Sequence, residues 1–350
     1  MPIYLVTGGT GFVGSHVADA LVKRGTVRCL VRPGSDTAHL QSIGAELVPG
    51  DLTDPAAVAT AATGVDAVIH CAAKVGDWGE VEEFRRVNVG GLRALLDAVR
   101  GQPLTRFVQV SSLGVYAARH HYGTDESEPL PDHHIDGYTQ SKVECERLAL
   151  DEYRAHGTPV TVVRPGFIYG PRDRTVLPRL AARLAKRDIL YISRGKHALN
   201  TTCVGNLVDA ILLALDKPAA VGEVFNITDG EFVSKKRFFE AIADGLALPR
   251  PKGSIPLWLA KILARWREGK FRRQGRPTPP RITQAGVKFA GLNLDFATGK
   301  ARTMLGYEPQ VGFDAGMAAA LDWHRKMATD RHGSHGSEPK TGSEPKPDLV

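Results

Sequence analysis

A serine, a tyrosine and a lysine in this 350-residue chain have the types and positions needed to move a proton on a substrate oxygen. Tyr138 and Lys142 form a Y-x-x-x-K pair, and this spacing places both side chains on one face of a helix. A free tyrosine hydroxyl has a pKa of about 10, too high for a base at neutral pH, and a neighbouring ammonium lowers that pKa. Ser112 stands at the end of a predicted strand and can hold the same substrate oxygen. The three residues therefore predict the proton transfer that accompanies hydride transfer at a carbinol carbon.

A glycine-rich turn near the N-terminus predicts a dinucleotide site. Residues 7–14 read TGGTGFVG and lie between a predicted strand and a predicted helix. Gly8 permits the tight turn, Gly11 lets the backbone approach a pyrophosphate, and Gly14 lets the helix pack closely on the strand. The spacing is G-x-x-G-x-x-G, and the N-terminus of the helix faces the phosphates. The cofactor-binding candidates of this turn are Gly8, Gly11, Phe12, Val13 and Gly14.

Two further positions bear on which nicotinamide cofactor is bound. The second predicted strand ends at Arg32, where NAD-binding folds usually carry an acid that holds the ribose 2′-hydroxyl. A guanidinium suits a 2′-phosphate, so Arg32 favours NADP over NAD unless it is only a solvated surface side chain. Asp51 and Leu52 follow the third predicted strand and are expected to flank the adenine, with Asp51 accepting from its amino group.

The elements that must position these residues alternate between strand and helix. Predicted strands span residues 3–7, 27–31, 46–48, 67–70, 107–111, 160–164 and 223–227. Predicted helices include 14–24, 84–99 and 138–156, with shorter ones near 297–305 and 313–327. Continuous apolar strands that alternate with helices indicate a doubly wound parallel sheet, an α/β Rossmann fold.

The same pattern predicts the domain organisation. Residues 1–165, with a returning segment near 203–228, form the dinucleotide-binding domain, and residues 166–202 and 229–327 form a smaller substrate lobe. Residues 328–350 repeat GSEPK twice, contain few apolar residues, and are predicted to be a disordered tail.

The net charge of +7 is concentrated in one segment. Residues 250–281 contain ten Lys or Arg and one acid, a local charge of +9, so the rest of the chain sums to −2. This distribution argues against a nucleic-acid partner and indicates one basic surface segment. With no apolar run of about 18 residues, no signal-peptide pattern and four scattered cysteines, a cytoplasmic protein is expected.

An amphipathic helix is predicted inside that basic segment. Its apolar arc comprises Trp258, Leu259, Ile262, Leu263 and Trp266, and its opposite side carries Lys261, Arg265 and Glu268. Such a helix covers an apolar substrate as a lid, rests peripherally on an anionic membrane through residues 254–281, or simply packs on the core.

Five segments together resemble the extended short-chain dehydrogenase/reductases, a family that also contains sugar-nucleotide epimerases and dehydratases. They are residues 7–14, 68–73 (VIHCAA), 110–116 (VSSLGVY), 138–142 (YTQSK) and 164–171 (RPGFIYGP), and the likeness spans about residues 1–327. The resemblance implies Ser112, Tyr138 and Lys142 as the catalytic set. It also implies cofactor contacts from Ala72, Ala73 and Pro165, and a homodimer built from the helices at 84–99 and 138–156. Asn88, Ser111, Tyr138 and Lys142 complete the predicted cofactor-binding residues.

Within that family, the sequence around Arg172 is similar to the 3β-hydroxysteroid and sterol-4-carboxylate dehydrogenase branch. A C-terminal pattern ending in LGYEP at residues 305–309 points the same way. This implies a small-molecule substrate that is bulky, apolar and sterol-like. The reaction would interconvert a hydroxyl group and a ketone on that molecule.

Three alternatives to this function remain. A sugar-nucleotide epimerase or dehydratase could use Arg172 and Arg174 for a second diphosphate. A reductase of dihydroflavonol or 3-oxoacid type would use the same catalytic residues. A non-catalytic cofactor sensor has no need of the intact Ser112, Tyr138 and Lys142. A metal enzyme is disfavoured, because the paired histidines at 120–121 and 133–134 lack ligand spacing, and no metal is predicted.

Overall fold

A central sheet of seven parallel strands confirms the predicted α/β fold. The computed structural model describes residues 1–333, with side chains described through residue 329. The strand order is β12-β7-β5-β4-β1-β2-β3, and each neighbouring pair is parallel. These strands are β1 (Ile3–Thr7), β2 (Thr26–Val31), β3 (Glu46–Pro49), β4 (Ala67–His70), β5 (Arg106–Val110), β7 (Val160–Pro165) and β12 (Val224–Ile227).

Shorter strands pair outside this sheet. In chain order they are β6 (His121–Thr124), β8 (Phe167–Tyr169), β9 (Tyr191–Ile192), β10 (Ala198–Leu199), β11 (Thr201–Cys203), β13 (Val233–Ser234), β14 (Ser254–Ile255) and β15 (Leu294–Phe296). They form the pairs β8–β11, β10–β13, β9–β14 and β6–β15.

Helices cover both faces of the sheet, as the apolar strands require. They are α1 (Phe12–Leu21), α2 (Ala38–Ser42), α3 (Pro55–Ala62), α4 (Val81–Phe84), α5 (Gly90–Val99), α6 (Gly137–His156), α7 (Val176–Ala185), α8 (Val204–Asp216), α9 (Lys235–Gly245), α10 (Leu257–Arg273), α11 (Gln284–Gly291) and α12 (Phe313–Gly333). One buried cluster joins α1 and α8 to the sheet, and another joins α3, α5 and α6 to its opposite face.

Local capping explains why α6, which carries Tyr138, begins where it does. The Asp136 side chain accepts a hydrogen bond from Thr139 N at 2.8 Å, which satisfies one free N–H of the first turn. At the other end Gly157 adopts a left-handed conformation, φ 72°, and ends the helix. Tyr138 therefore lies in the first turn, beside the carboxyl edge of the sheet.

Several predicted boundaries differ from the structure. The predicted helix at 84–99 is divided, since a π-helical stretch, Arg85–Val89, joins α4 to α5. The segment near 297–305 ends in a second π-helical turn, Ala301–Leu305. The predicted tail begins too early, because α12 continues to Gly333; the remainder of that prediction, residues 334–350, lies outside the described residues.

The second half of the chain builds a separate cluster and also returns to the sheet. Phe238, Phe239, Ile242 and Phe313 are among its buried residues. Strand β12 adds to the edge of β7, and α8 lies against α1. Through residue 333, no helix is both long and apolar enough to cross a membrane.

Candidate active site

The glycine-rich turn lies where the sheet reverses its strand order. The chain runs from β1 outward to β2 and β3 and then returns to β4 on the other side of β1. Ligands of open α/β sheets bind beyond the carboxyl ends of the strands at such a reversal. Gly8 follows β1 there with φ 72°, and Ala72 follows β4 directly opposite.

Backbone crowding explains why two of these positions must be glycine. A Cβ on Gly8 would lie 2.8 Å from Ala72 N, and a Cβ on Gly14 would lie 2.1 Å from Gly8 O. Neither clash is relieved by moving a flexible side chain, because the contacted atoms are backbone. A Cβ on Gly11 would meet only Gly8 O, at 3.2 Å. The turn therefore brings the N-terminus of α1, with Phe12 and Val13, to the surface where a pyrophosphate fits.

The segment after β4 is tied to the same turn. The Thr7 hydroxyl accepts a hydrogen bond from Ala72 N at 3.3 Å and lies 2.6 Å from His70 Nδ1. Ala73 follows in the same irregular segment. Pro165 ends β7, two strands away in the sheet order. Ala72, Ala73 and Pro165 thus all lie at the carboxyl edge, where the sequence placed them.

Of the residues expected to contact the adenosine end of the cofactor, some are already engaged by other groups of the protein. Arg32 is exposed just after β2, and no ion pair engages it among the described residues. Asp51 accepts hydrogen bonds from Thr53 N at 2.9 Å and Thr53 Oγ1 at 2.6 Å. Partial burial opposes ionisation of Asp51, but these bonds and the charges of Arg32 and Arg86 lower its pKa overall. The Leu52 side chain is buried against Gly91 and contributes to the core.

The proposed catalytic residues converge on the end of β5. Lys142 Nζ donates to Val110 O at 2.8 Å, two residues before Ser112. Ser112 Oγ accepts a hydrogen bond from Gly114 N at 3.0 Å, so its own hydrogen is available to a substrate oxygen. A Cβ on Gly114 would approach Thr139, next to Tyr138, at 3.0 Å. The loop after β5 and the first turns of α6 therefore lie side by side.

The ionisation of this site differs from the sequence prediction. Burial, followed by the charge of Asp136, raises the pKa of the Tyr138 hydroxyl above its usual range. Burial also lowers the pKa of Lys142, whose ammonium is directed to Val110 O. In this structure burial and the charge of Asp136 therefore outweigh any lowering of the Tyr138 pKa by Lys142. At neutral pH the structure holds Tyr138 as a protonated phenol, which can donate a proton.

Asn88 and Ser111 have different roles from those expected. Asn88 Oδ1 accepts from Lys74 N at 2.7 Å, and its Nδ2 donates to Lys74 O at 3.1 Å and to Ser141 Oγ at 2.8 Å. It therefore fastens the segment after β4 to the helix that carries Tyr138. The Ser111 hydroxyl donates to buried Glu146, so it faces the core and does not reach a cofactor through its side chain.

Arg172 and Arg174 are not free for a second diphosphate. Arg172 Nη2 donates to Asp19 Oδ2 at 2.5 Å, and Arg174 Nη1 donates to Asp36 Oδ2 at 3.2 Å. Both bonds tie the segment after β8 to the nucleotide-binding half of the chain. The sequence-based suggestion of a diphosphate role for these two arginines is not supported by these contacts.

Lys288 is a site residue that the sequence analysis missed. Its Nζ donates to Gly114 O at 2.6 Å and to Tyr116 O at 3.0 Å, so α11 is held against the loop that carries Ser112. Burial lowers the pKa of Lys288 to about 8. No motif marks this lysine, because its partners lie more than 170 positions away in the chain. Among the described residues, no group of three or more His, Cys, Asp or Glu side chains could hold a metal ion.

Comparison with known proteins agrees with this geometry. A sequence profile of the NAD dependent epimerase/dehydratase family matches residues 4–228. The chain is 31% identical over 316 residues to a 4-hydroxy-2-methyl-3-oxo-4-farnesyl-3,4-dihydroquinoline-1-oxide ketoreductase of Stigmatella aurantiaca, covering 90% of this chain and 94% of the relative. It is also 31% identical over 339 residues to a 3β-hydroxysteroid dehydrogenase/Δ5→4-isomerase of Mycobacterium tuberculosis, covering 91% and 90% of the two chains.

A solved structure shares the fold. The UDP-glucuronic acid 4-epimerase of Bacillus cereus, in complex with UDP-glucuronic acid and NAD, superposes with a TM-score of 0.74. It covers 93% of this chain and 99% of its own, at 20% identity. The glycine turn at the sheet reversal, the residues near the end of β5 and the profile match lead to one conclusion: the chain belongs to the NAD dependent epimerase/dehydratase family and is an oxidoreductase of that family.

Proposed function

We propose that this protein reduces a ketone on a bulky apolar molecule, and catalyses the reverse oxidation, with Ser112, Tyr138 and Lys142 as the catalytic set. The observation that carries this proposal is that the first turn of α6, which carries Tyr138, lies beside the loop that begins at Ser112, so that two hydroxyl donors stand at one edge of the sheet. A ketone oxygen needs two such donors as it gains negative charge. The function is similar to that of a 3β-hydroxysteroid dehydrogenase.

The cofactor site fits a nicotinamide dinucleotide. Gly8 and Gly14 leave room that a Cβ would fill, and the N-terminus of α1 is available to a pyrophosphate. When bound, the nicotinamide supplies or receives the hydride. Ser112 donates a hydrogen bond to the substrate oxygen, and Tyr138 delivers its proton to that oxygen. Lys142, one helical turn away, stabilises the phenolate that remains.

An apolar substrate is supported over a sugar nucleotide. Arg172 and Arg174, the cations available after β8, are engaged by Asp19 and Asp36. The relatives from Stigmatella and Mycobacterium act, by name, on a farnesylated quinoline and a steroid. The epimerase is less similar in sequence, at 20% identity, and supports the fold alone. A sugar-nucleotide epimerase or dehydratase is therefore the second candidate.

Replacing Tyr138 by Phe tests the acid role. We expect turnover to fall by about 10²–10⁴-fold with unchanged cofactor affinity, because only the proton donor is lost. A screen of sterols, apolar ketones, 3-oxo acids and UDP-sugars, followed by absorbance of the reduced nicotinamide, supplies the assay. Tyr122→Phe, at a tyrosine that is 72% exposed, is the control and should retain full activity. A Tyr138→Phe rate within about threefold of the parent would contradict the assignment.

We further infer that the protein prefers NADP to NAD and that Arg32 determines this preference. This guanidinium is exposed and unpaired within the described chain, just beyond β2, where a 2′-phosphate would lie. Asp51, the acid that follows the neighbouring strand β3, already accepts two hydrogen bonds from Thr53.

Arg32→Asp should invert the preference, because the new carboxylate repels a 2′-phosphate and accepts from a 2′-hydroxyl. Dissociation constants for NADPH and NADH, measured by quenching of protein fluorescence before and after the change, give the result. Arg93→Asp, an equal charge change at an exposed position of α5, should leave the preference intact. A parent protein that already prefers NAD would disprove the role of Arg32.

Helix α10 is proposed to rest on an anionic membrane surface. The structure divides the predicted apolar arc: Leu259 and Leu263 are half-buried, whereas Trp258, Ile262 and Trp266 are 64%, 58% and 60% exposed. Lys261 and Arg265 are exposed beside this stripe. The predicted position of Glu268 on the solvated side is wrong, because Glu268 is buried and accepts from Gln284. An apolar stripe flanked by unpaired cations suits anionic headgroups.

Vesicle sedimentation tests this surface. The protein should pellet with anionic vesicles at low salt, bind neutral vesicles poorly, and dissociate as salt rises, since each nearby cation contributes about 1 kcal/mol that salt screens. A Trp258→Ala, Trp266→Ala double variant should lose binding. Phe232→Ala, which removes a 66% exposed ring elsewhere, should not. If α10 is only a lid, vesicles will not bind and the double variant will instead raise the KM.

A homodimer is also proposed, built from α4–α5 and α6 of two copies as in the resemblance described above. The Ala94 and Leu148 side chains are partly exposed on the surface of these helices and offer apolar contacts to a second copy. Light scattering at micromolar protein should give twice the 37.8 kDa chain mass, and a monomer would reject the dimer.

A further inference from the structure

Lys288 of helix α11 holds the loop that carries Ser112. Its Nζ donates to Gly114 O at 2.6 Å and to Tyr116 O at 3.0 Å. Gly114 is also the residue whose N–H donates to Ser112 Oγ, at 3.0 Å. Hydrogen bonds from an ammonium are stronger than those from a neutral donor. Lys288 therefore fixes the residue that in turn orients the Ser112 hydroxyl.

His134 supplies a second donor to one of these carbonyls. Its Nδ1 accepts a hydrogen bond from Ile135 N at 3.0 Å, so the proton of the neutral ring is on Nε2. Burial, followed by the charge of Lys288, lowers the pKa of His134 and keeps the ring neutral at pH 7. Nε2 lies 3.0 Å from Tyr116 O and donates to it, and Lys288 Nζ lies 3.4 Å from the same Nε2. Two donors on different segments thus share Tyr116 O.

The segment that contains His134 is fastened to the helix of Tyr138. His134 N donates to Gln140 Oε1 at 2.7 Å, in the first turn of α6. Asp136 caps that turn by accepting from Thr139 N at 2.8 Å. Tyr138 lies in the chain between Asp136 and Gln140. The position of the His134 ring is therefore linked to that of Tyr138 by hydrogen bonds on both sides of the tyrosine.

Helix α11 has attachments of its own. The Thr283 hydroxyl, at its start, donates to Asp77 Oδ2 at 2.7 Å in the segment after β4. Glu268 of α10 accepts from Gln284 N and from Gln284 Nε2, both at 2.6 Å. Since these contacts fix α11 independently of the catalytic loop, Lys288 transmits the position of the helix to the loop.

We propose that Lys288 is a positioning residue that holds the Ser112 hydroxyl in its productive place relative to Tyr138. His134 supports the same clamp from the side of α6. The inference rests on the proposed function, because these two hydroxyls are its donors to the ketone oxygen. Misplacing such a group by about 1 Å costs up to about 100-fold in rate. Lys288 acts through Ser112, so its loss should matter only while that hydroxyl is present.

A double-mutant cycle tests this dependence. Lys288→Met should lower kcat for a ketone from the substrate screen at least about tenfold and leave the dissociation constant of NADPH unchanged, because the loop loses its two bonds to the ammonium. In a Ser112→Ala background, the same change should lower kcat less than about threefold, since the hydroxyl to be positioned is already gone. Equal losses in the two backgrounds would overturn the proposal, because Lys288 would then act independently of Ser112.

Hydrogen exchange tests the clamp without turnover. In the loop, Val115 N donates to Ser112 O at 3.1 Å and Tyr116 N donates to Leu113 O at 3.4 Å. These amides should exchange at least about tenfold faster in Lys288→Met than in the parent, because the turn is no longer held from α11. Mass spectrometry of a peptide that covers residues 112–116 gives the rates, and peptides from β1 and α1 should be unchanged. Parental exchange of the loop in the variant would overturn the clamp.

Lys300 provides the matched control. Like Lys288 it is half-buried, and its Nζ lies 2.7 Å from Glu223 Oε2, beside the edge strand β12. Lys300→Met therefore removes the same charge from a comparable environment without touching the catalytic loop. We expect kcat and the exchange of residues 112–116 to be unchanged in this variant.

His134→Leu tests the other half of the clamp. It removes one of the two donors to Tyr116 O, so kcat should fall by less than in Lys288→Met, and again only where Ser112 is present. This variant keeps the proposal testable if Lys288→Met does not fold. A loss in His134→Leu that is as large in the Ser112→Ala background would overturn the clamp.

The outcomes also separate the clamp from the function on which it depends. If loop exchange rises in Lys288→Met but no compound of the screen is turned over, the proposed function fails and the clamp stands. If ketones are reduced and Lys288→Met keeps the parental kcat, the positioning role is wrong and the reductase function stands. That holds even where loop exchange rises, because the loop would then be held for stability alone.

Discussion

Close backbone contact at the reversal of the sheet is the constraint on which the rest of the site depends. Gly8 brings the turn after β1 against Ala72 after β4, and Gly14 brings α1 against that turn. Both contacts are too short for any Cβ. The approach creates the surface for a dinucleotide and at the same time orients the segment after β4, where Asn88 holds the backbone of Lys74. One geometric requirement therefore positions the cofactor and one wall of the catalytic site.

Asn88 connects the segment after β4 to helix α6 by hydrogen bonds. Its amide also donates to Ser141, the residue before Lys142, so the cofactor turn, the segment after β4 and α6 form a continuous hydrogen-bonded path. Lys142 then reaches Val110 O at the end of β5. Beneath this path the Arg164 guanidinium binds buried Glu146 through several hydrogen bonds, which supports β7 and α6 from the core side. Tyr138 and Lys142 are both held on the regular helix α6.

Two lysines of the second half of the chain, one half-buried and one buried, differ in their partners. Lys288 holds α11 to the catalytic loop through two backbone carbonyls. Lys235, on the far side of the neighbouring Phe289 ring, has no such acceptor. Lys288 Nζ thus has two backbone acceptors, whereas Lys235 Nζ has no hydrogen-bond partner among the described residues.

The sequence alone was sufficient for features that depend on short spacing. The glycine turn, the Y-x-x-x-K pair and the alternation of apolar strands with helices predicted the fold and the place of Ser112, Tyr138 and Lys142, because each involves residues close together in the chain. The ionisation of Tyr138, the pairing of Arg172 with Asp19, the inward turn of Glu268 and the burial of Lys235 required the tertiary structure. Each of these depends on desolvation or on a partner that is distant in the chain, and a helical wheel or a motif contains no information about which surface another element will cover.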